Sequence, residues 1–215
     1  MENNIYCFWT GKNKMSESRK DCLHQLKKVS QCNIILVDID NLNQYILHNE
    51  PLHESYKYLS ETHKADYLRT YFMRFYGGGY SDIKRTNGPW IDSFKNLYNS
   101  DKWIIGYQED MHGVAYPPLK DKWEYLIGNC AYICKPNTPL VIEWYNTMIS
   151  LMDEKLVELK KYPATHPQDA KENYQNGGYP IGWNEMLGRI FHKIIYKYTD
   201  KCLFTLPCSS FYNYR

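Results

Sequence analysis

Residues 63 to 87, HKADYLRTYFMRFYGGGYSDIKRTN, carry the pattern that decides the fold. Apolar residues recur at helical spacing as far as Phe75, and three glycines follow. Asp66 and Arg69 are three residues apart, so their head groups can meet on one side of the helix. Gly77 can adopt the left-handed conformation that ends a helix, and the two surplus glycines allow close approach of a backbone or ligand. The stretch therefore predicts an amphipathic helix, a glycine turn and a strand.

The strand after the glycines is predicted to run from Tyr80 to Lys84. Side chains alternate along a strand, so Tyr80, Asp82 and Lys84 should share one face. Asp82 would then lie beside the helix that carries Asp66 and Arg69, which suits a charged ligand. Each feature also has an ordinary structural explanation as a surface ion pair, a helix cap or a turn. Their occurrence together in one short stretch favours a binding site.

The composition favours one globular domain. The chain has 215 residues, 43% of them hydrophobic and 16% aromatic, which is enough for a packed core. A net charge of +2 does not suggest a nucleic-acid partner, although the 21 tyrosines keep a single-strand binder as a minor alternative. Neither a signal-peptide core nor an apolar run of membrane-spanning length occurs, so we expect a cytoplasmic protein. Seven cysteines without CxxC spacing indicate reduced, mostly buried thiols.

The chain before the central stretch alternates between strand and helix. The order β-α-β-α implies a parallel sheet with right-handed crossovers, in which ligands bind beyond the carboxyl ends of the strands. The predicted elements are a strand from Ile5 to Trp9, a helix from Ser16 or Ser18 to about Val29, a strand from Asn33 to Val37 and a helix from Leu42 to about Leu47 that is capped by Asp40 and Asn41.

The chain after the central stretch continues the mixture of helices and strands. A long polar loop is expected from Tyr162 to Tyr179, and loops of this length are often functional. The other predicted elements are helices Trp90–Leu97 and Trp183–Tyr196, a helix from Pro136–Pro139 to about Leu159, strands Lys102–Tyr107 and Tyr125–Cys134, and a strand or coil from Leu203 to Tyr214.

The central stretch and the element order together resemble a GT-A nucleotide-sugar glycosyltransferase. HKADYLRTYFMRFYGGGYSDIK resembles the S-D-x-x-R and Y-G-G-x-Y-x-D-x-D signature of capsular-polysaccharide-synthesis and family-32-like transferases, which also occur in large viruses. The opening IYCFWTG and the later GYPIGWNEMLGRIF are similar to that family but less specific. The resemblance implies an α/β, Rossmann-like GT-A fold with a mixed, mainly parallel sheet flanked by helices. We expect one domain over residues 1–215, located in the host cytoplasm if the protein is viral.

The resemblance also implies roles for residues of the central stretch. Asp66 and Arg69 would contact the nucleotide, and Asp82 would contact ribose, sugar or metal. The second Asp of the family motif, usually a metal ligand, is Lys84 here. Asp82 is expected to hold Mn²⁺ or Mg²⁺ with phosphate and water oxygens completing the shell. Two alternatives stay open: Lys84 replaces the cation as a fixed positive charge, or it forms a purely structural salt bridge with Asp82.

Other residues are candidate contacts for the donor or the acceptor. Phe8, Trp9 and Thr10 are expected to receive the base, with Trp9 stacking on uracil, although Phe8 can equally belong to the core. Asp38 either accepts a hydrogen bond from base or ribose or caps the next helix. Asp110 is the first candidate for a base in an inverting reaction, whereas the resemblance favours retention. The remaining candidates for nucleotide-sugar binding are Gly79, Tyr80, Asn129, Trp183, Asn184 and Glu185. The last three are expected at the amide end of the final helix, which favours anions.

These features lead to one functional expectation and one alternative. We expect a glycosyltransferase that moves a sugar from a nucleoside diphosphate, such as a UDP-hexose, to a hydroxyl of a glycan acceptor. The alternative is a nucleotide-sugar-binding protein that has lost catalysis, for which Lys84 would be the sign.

Overall fold

A six-stranded mixed sheet with helices on both faces forms the centre of the protein. The computed structural model describes residues 2–175 and 177–214. The strands are β1 (Asn4–Trp9), β2 (Asn33–Asp38), β3 (Gly78–Ser81), β4 (Arg85–Thr86), β5 (Ile104–Gln108), β6 (Ile127–Cys134), β7 (Cys202–Leu203) and β8 (Ser209–Ser210). The α-helices are α1 (Glu17–Ser30), α2 (Glu61–Phe75), α3 (Ile91–Tyr98), α4 (Pro139–Lys161) and α5 (Gly188–Lys197).

The order of strands in the main sheet is β2-β1-β3-β6-β5-β7. Strands β2, β1 and β3 run parallel, β6 is antiparallel to both of its neighbours, and β7 is parallel to β5. The short strands β4 and β8 pair separately. The predicted fold class, a mixed and mainly parallel sheet flanked by helices, is confirmed. The single-domain extent of 1–215 stays a prediction.

Alternate residues of the strands serve two different hydrophobic cores. Tyr80 of β3 and Tyr132 of β6 face the core that contains residues of α2, α4 and α5. Ile105 and Ile133 belong instead to the core that contains Phe94 of α3. Because burying each large apolar side chain contributes about 1.5–3 kcal/mol, both faces of the sheet are held by packing.

Helix α2 is more buried than its sequence pattern predicts. It begins after Ser60, whose side chain accepts the backbone N–H of His63, and every residue from 66 to 73 is buried. The helix is therefore surrounded by protein and not simply amphipathic. Gly77 has a φ of 64°, and its N–H donates to the carbonyl of Phe72, so it ends the helix as predicted.

Several predicted boundaries are wrong, and three of the differences are the largest or bear on the site. Strand β3 ends at Ser81 and not at Lys84, because the chain turns back at once: the N–H of Lys84 donates to the carbonyl of Asp82 at 2.7 Å. The second predicted helix is only a 3-10 turn, Leu42–Tyr45, and Asn41 makes no capping bond from its side chain. The last helix begins at Gly188, five residues later than predicted, because a closed turn comes first.

Candidate functional site

A cleft of about 240 Å³ opens where β1 and β3 end side by side. The carboxyl ends of adjacent parallel strands are the usual place for ligands in this class of sheet. The cleft is also lined by the first turns of α2, by Arg19 of α1, and by Pro167 and Gln168 of the long loop. Segments that are distant in sequence therefore meet at one site.

Asp82 is the centre of the charged part of the cleft. The Tyr80 hydroxyl donates to its Oδ1 at 2.6 Å, and Lys84 Nζ donates to its Oδ2 at 2.8 Å. Arg69 Nη2 lies 3.4 Å from Oδ1. The side chain of Asp82 remains 24% exposed, whereas those of Arg69 and Lys84 are 8% and 7% exposed. Asp82 is thus the acidic member of the network that a ligand can reach.

Arg69 links α2 to the sheet through several contacts. Its Nη2 lies 3.1 Å from Asp66 Oδ1, and its Nη1 donates to the carbonyl of Asn129 in β6 at 2.9 Å. Its guanidinium stacks over the Tyr80 ring, with Cζ at 4.3 Å from the ring centroid. These contacts fix a permanent positive charge at the wall of the cleft.

Lys84 lies behind Asp82 in a closely packed environment. Its Nζ contacts Asp82, lies 3.0 Å from Cys130 Sγ, and is 4.5 Å from the centroid of the Phe211 ring. Burial is the largest single influence and lowers the pKa of Lys84, but the charges and hydrogen bonds of Asp82 and Cys130 together outweigh it, so the net pKa lies above its ordinary value. The ammonium therefore stays charged, and the C-terminal aromatic ring shields it from water.

The two carboxyl groups beside Arg69 have opposite electrostatic properties. Burial raises the pKa of Asp66 to about 7, with Arg69 lowering it and the charge of Asp82 raising it further. Burial would also raise the pKa of Asp82, but Lys84 and Arg69 hold it well below its usual range. Asp82 is consequently ionised at neutral pH, while the charge of Asp66 depends on pH near neutrality.

The residues predicted for the base all line the cleft. Phe8, Trp9 and Thr10 lie at the end of β1. Phe8 also packs on Phe72 with ring centroids 5.0 Å apart, so it belongs to the core as well. Trp9 Nε1 donates to the carbonyl of Asn13 at 2.9 Å, which fixes the indole at the cleft wall.

The long loop reaches the cleft because it is anchored to the start of α2. The N–H of Thr62 donates to the carbonyl of Pro167 at 3.1 Å. His63 Nδ1 lies 2.8 Å from the Tyr179 hydroxyl, and its Nε2 lies 3.2 Å from the carbonyl of Gly182. Burial lowers the pKa of His63 to about 4, so the ring is neutral and Nε2 donates to that carbonyl.

Two predicted donor contacts do not line the cleft and have structural roles. The carboxylate of Asp38 accepts the N–H groups of Asp40 and Asn41, so it closes the turn after β2. It does not cap the 3-10 turn that follows, for which its alternative prediction had chosen it. A side chain on Gly79 would approach Ile5 to 2.9 Å, so this glycine permits close packing of β3 on β1.

Asn129 and Asp110 also lie outside the cleft. The side-chain nitrogen of Asn129 lies 3.2 Å from His192 Nε2, and its Oδ1 is buried without a partner among the described residues. Asp110 accepts the N–H groups of His112 and Gly113, which closes an exposed turn. The buried carboxylate of this region is that of Glu109, which lies 3.5 Å from His192 Nε2. A base role for Asp110 stays a prediction, without a contact in this structure that favours it.

Residues 183–185 do not open the last helix, which corrects the reason for choosing them. Glu185 accepts the N–H of Gly182 at 2.8 Å and closes the turn before α5. Trp183 is 45% exposed, and its N–H donates to Glu172. None of the three residues Trp183, Asn184 and Glu185 lines the cleft. Free amide groups of a helix end therefore do not supply an anion site at this point.

A divalent cation does not fit the donor set around Asp82 as it stands. Both carboxylate oxygens are already engaged, one by Tyr80 and the other by Lys84. Asp66, the other carboxylate of this network, is 4% exposed and paired with Arg69. Across residues 2–175 and 177–214, no three His, Cys, Asp or Glu side chains group in a way that could hold a metal ion. Mg²⁺ and Mn²⁺ require several oxygen ligands, so we derive no step through a metal here.

Sequence patterns missed several residues of this site. Arg19 lines the cleft, donates through Nη1 to the carbonyl of Ile83 at 2.8 Å, and lies over the Tyr214 ring. Gln168 enters from the long loop, and Phe211 covers Lys84 from the C-terminal segment. The long-loop prediction was the only signal that pointed to any of them.

The fold of the chain is similar to that of a glycosyltransferase. A family model described as capsular polysaccharide synthesis protein matches residues 1–103, just under half of the chain and including the whole central stretch. Five solved chains match; one, titled PaToxG Glycosyltransferase, has a TM-score of 0.51 and 14% identity, and the match covers 92% of this chain and 69% of that chain. No curated protein matches. The resemblance predicted from the sequence is confirmed, and the structural likeness extends it to the fold of nearly the whole chain.

Proposed function

We propose that the protein is a glycosyltransferase that moves a sugar from a nucleoside diphosphate to a carbohydrate hydroxyl, with a UDP-hexose as the donor and with retention of configuration. The observation that carries this proposal is the Arg69–Asp82–Lys84 network, whose Arg69 and Asp82 line the cleft at the carboxyl ends of β1 and β3 while Lys84 lies behind Asp82. The family match and the fold support the same class of enzyme.

The cleft offers a separate group for each part of such a donor. The indole of Trp9 presents an aromatic surface for the base, and Arg19 and Arg69 bring positive charge for the diphosphate. Asp82 is already hydrogen-bonded, but a carboxylate has about four acceptor positions, so it can still accept a hydroxyl of ribose or sugar.

The proposed reaction breaks the bond between the anomeric carbon and the diphosphate oxygen. The acceptor oxygen forms the new bond to that carbon on the face that the diphosphate leaves, so configuration is retained. The bonding electrons leave with the diphosphate, and its departing oxygen takes the proton of the acceptor hydroxyl. Negative charge thus develops on the leaving group, where the guanidinium of Arg69 and the ammonium of Lys84 would stabilise it. The structure assigns no group to the acceptor.

We also propose a cytoplasmic location, which agrees with the five buried thiols among seven free cysteines. Among the residues that the structure describes, none of the helices combines the length and apolar composition needed to cross a membrane.

The function is tested by incubating the protein with a panel of nucleotide sugars and measuring the nucleoside diphosphate released, with and without glycan acceptors. We expect release from a UDP-sugar, and we expect Asp82→Asn to lower it by about 100-fold or more because a group that orients the donor is lost. Asp92→Asn is the matched control, since this carboxylate on α3 is 86% exposed and outside the cleft. Equal rates for the two variants would contradict the site. Binding without release from any donor would favour the inactive binding protein.

A further inference from the structure

We propose that the ammonium of Lys84 does the electrostatic work of a divalent cation, so that a nucleoside diphosphate binds this site without a metal ion. The inference rests on the proposed function, because it concerns the same donor. Of the two alternatives that the sequence left open for Lys84, it chooses a fixed positive charge in place of the cation over a purely structural salt bridge with Asp82.

The first step of the argument concerns the ligands available to a cation. Two carboxylates line the cleft, those of Glu61 and Asp82. Glu61 is paired with Lys64 and accepts the Thr10 hydroxyl. Asp82 Oδ2 is held by Lys84 at 2.8 Å. Asp82 Oδ1 accepts the Tyr80 hydroxyl at 2.6 Å and faces Arg69. A metal at Asp82 would have to displace a hydrogen-bonded ammonium and would meet the positive charge of Arg69. Both effects oppose cation binding.

The second step concerns how firmly the ammonium is held. Lys84 Nζ touches Asp82 Oδ2, Cys130 Sγ and the face of Phe211, from three different parts of the chain. The tight turn at Asp82 brings Lys84 back toward the carboxylate. The charge is therefore preorganised and does not need to be recruited when the ligand arrives.

The third step is a count of charge. A carboxylate at position 84 would contribute one negative charge, and the ammonium contributes one positive charge. The exchange raises the charge of the site by two units, which equals the charge that a divalent cation would bring. Arg19 and Arg69 line the cleft as further cations. The site can therefore face a diphosphate with fixed positive charge alone.

The experiment measures UDP binding by titration calorimetry to the wild-type chain after treatment with EDTA and again with added Mn²⁺. We expect the two dissociation constants to agree within about twofold, since no metal ion takes part in UDP binding. The electron paramagnetic resonance signal of free Mn²⁺ is followed in parallel, and UDP with wild-type protein should remove no more of it than UDP alone. This arm requires no variant, so it does not depend on how substitutions fold.

Two variants test the role of Lys84 directly, with circular dichroism and Tm as checks of folding. Lys84→Met should weaken UDP binding by about tenfold or more, since the positive charge that offsets Asp82 beside the cleft is lost, and Mn²⁺ should not restore it. Lys84→Asp should also bind UDP weakly after EDTA treatment. With Mn²⁺ it should recover about tenfold or more and should remove free Mn²⁺ signal, since two carboxylates then face the site.

The outcomes separate this inference from the proposed function. Binding of UDP to the wild type only with Mn²⁺ would overturn the inference and leave the donor site standing. Unchanged affinity in Lys84→Met would also overturn it. If no nucleoside diphosphate binds the wild type in either condition, the donor site itself fails, and the inference fails with it. Metal-independent binding by the wild type with loss in Lys84→Met supports it.

Discussion

Two aspartates that share one arginine show how strongly local surroundings decide the behaviour of a side chain. Asp66 receives Arg69 Nη2 at 3.1 Å but lies in protein interior, and its pKa is raised to about 7. Asp82 contacts Arg69 and Lys84 and accepts the Tyr80 hydroxyl, and these partners lower its pKa. Their positions in sequence predicted a shared ligand site for both. The difference between them follows from burial and partners, which the sequence alone does not contain.

The raised pKa of Asp66 predicts a pH dependence of stability. Between the ordinary pKa of 3.8 and about 7, the folded chain keeps a proton that the unfolded chain has lost. The contribution of this group to the free energy of unfolding therefore falls as pH rises through that window. Asp66→Asn removes the effect, so its free energy of unfolding relative to wild type should rise by up to about 4 kcal/mol from pH 4 to pH 7.

Urea unfolding at pH 4, 5, 6 and 7 measures this difference. His63 has the opposite effect on stability, because its pKa is lowered to about 4 in the folded chain. Its contribution to the free energy of unfolding therefore falls as pH drops from the ordinary histidine pKa of 6.5 toward 4. His63 is present in both proteins, so comparing them isolates Asp66. Asp92→Asn serves as the exposed control and should run parallel to wild type. Parallel curves for Asp66→Asn as well would show that the carboxyl is not buried as described.

The junction between α2 and β3 is the element that places the charged network. The glycine run was predicted to end the helix, and it does, because this is a local property of the backbone. The strand was predicted to begin after the glycines at Tyr80, whereas β3 already begins at Gly78. The end of β3 was predicted wrongly. It depends on the turn at Asp82, whose N–H donates to the carbonyl of Cys130 in β6. That contact comes from a strand far along the chain, and helical or strand periodicity cannot reveal it.

This junction predicts unequal costs for two glycine substitutions. Gly77 and Gly177 both have positive φ, at 64° and 90°. A Cβ on Gly77 would lie 2.4 Å from the Pro136 ring and 2.9 Å from the carbonyl of Cys134, whereas a Cβ on Gly177 meets nothing within 4 Å. We expect Gly177→Ala to cost about 1 kcal/mol from backbone strain alone. Gly77→Ala adds steric overlap and should cost about 3 kcal/mol or more.

Chemical denaturation of both variants checks this expectation, with the midpoint and slope fitted together so that a change in the unfolded state is recognised. Gly177→Ala is the matched control, because it carries the conformational strain without the overlap. Equal losses in the two variants would mean that the close packing of Pro136 on the glycine turn does not contribute to stability.

At the scale of the whole molecule, the sheet was predictable and the cleft only in part. The order of strands and helices follows from hydrophobic patterning, and the ends of β1 and β3 were predicted as the ligand side. Arg19, Gln168 and Phe211 reach the site through tertiary packing of segments that carry no local signal. Conversely, Trp183, Asn184 and Glu185 were chosen because they were predicted to form the start of the last helix, but that helix begins at Gly188.

The convergence of distant segments predicts the footprint of a bound donor. UDP binding should reduce local opening of the loops that wall the cleft, because the ligand binds only the closed native state. We expect slower amide hydrogen exchange in residues 8–13 and 165–169, which line the cleft or hold its lining residues. Exchange in α3 should be unchanged, since Phe94 and Leu97 pack in the second core, away from α2. Hydrogen exchange with mass spectrometry measures this at saturating UDP, with adenosine as a ligand that lacks the diphosphate. Slowing confined to α3, or equal slowing with adenosine, would contradict a diphosphate site between β1, β3 and the long loop.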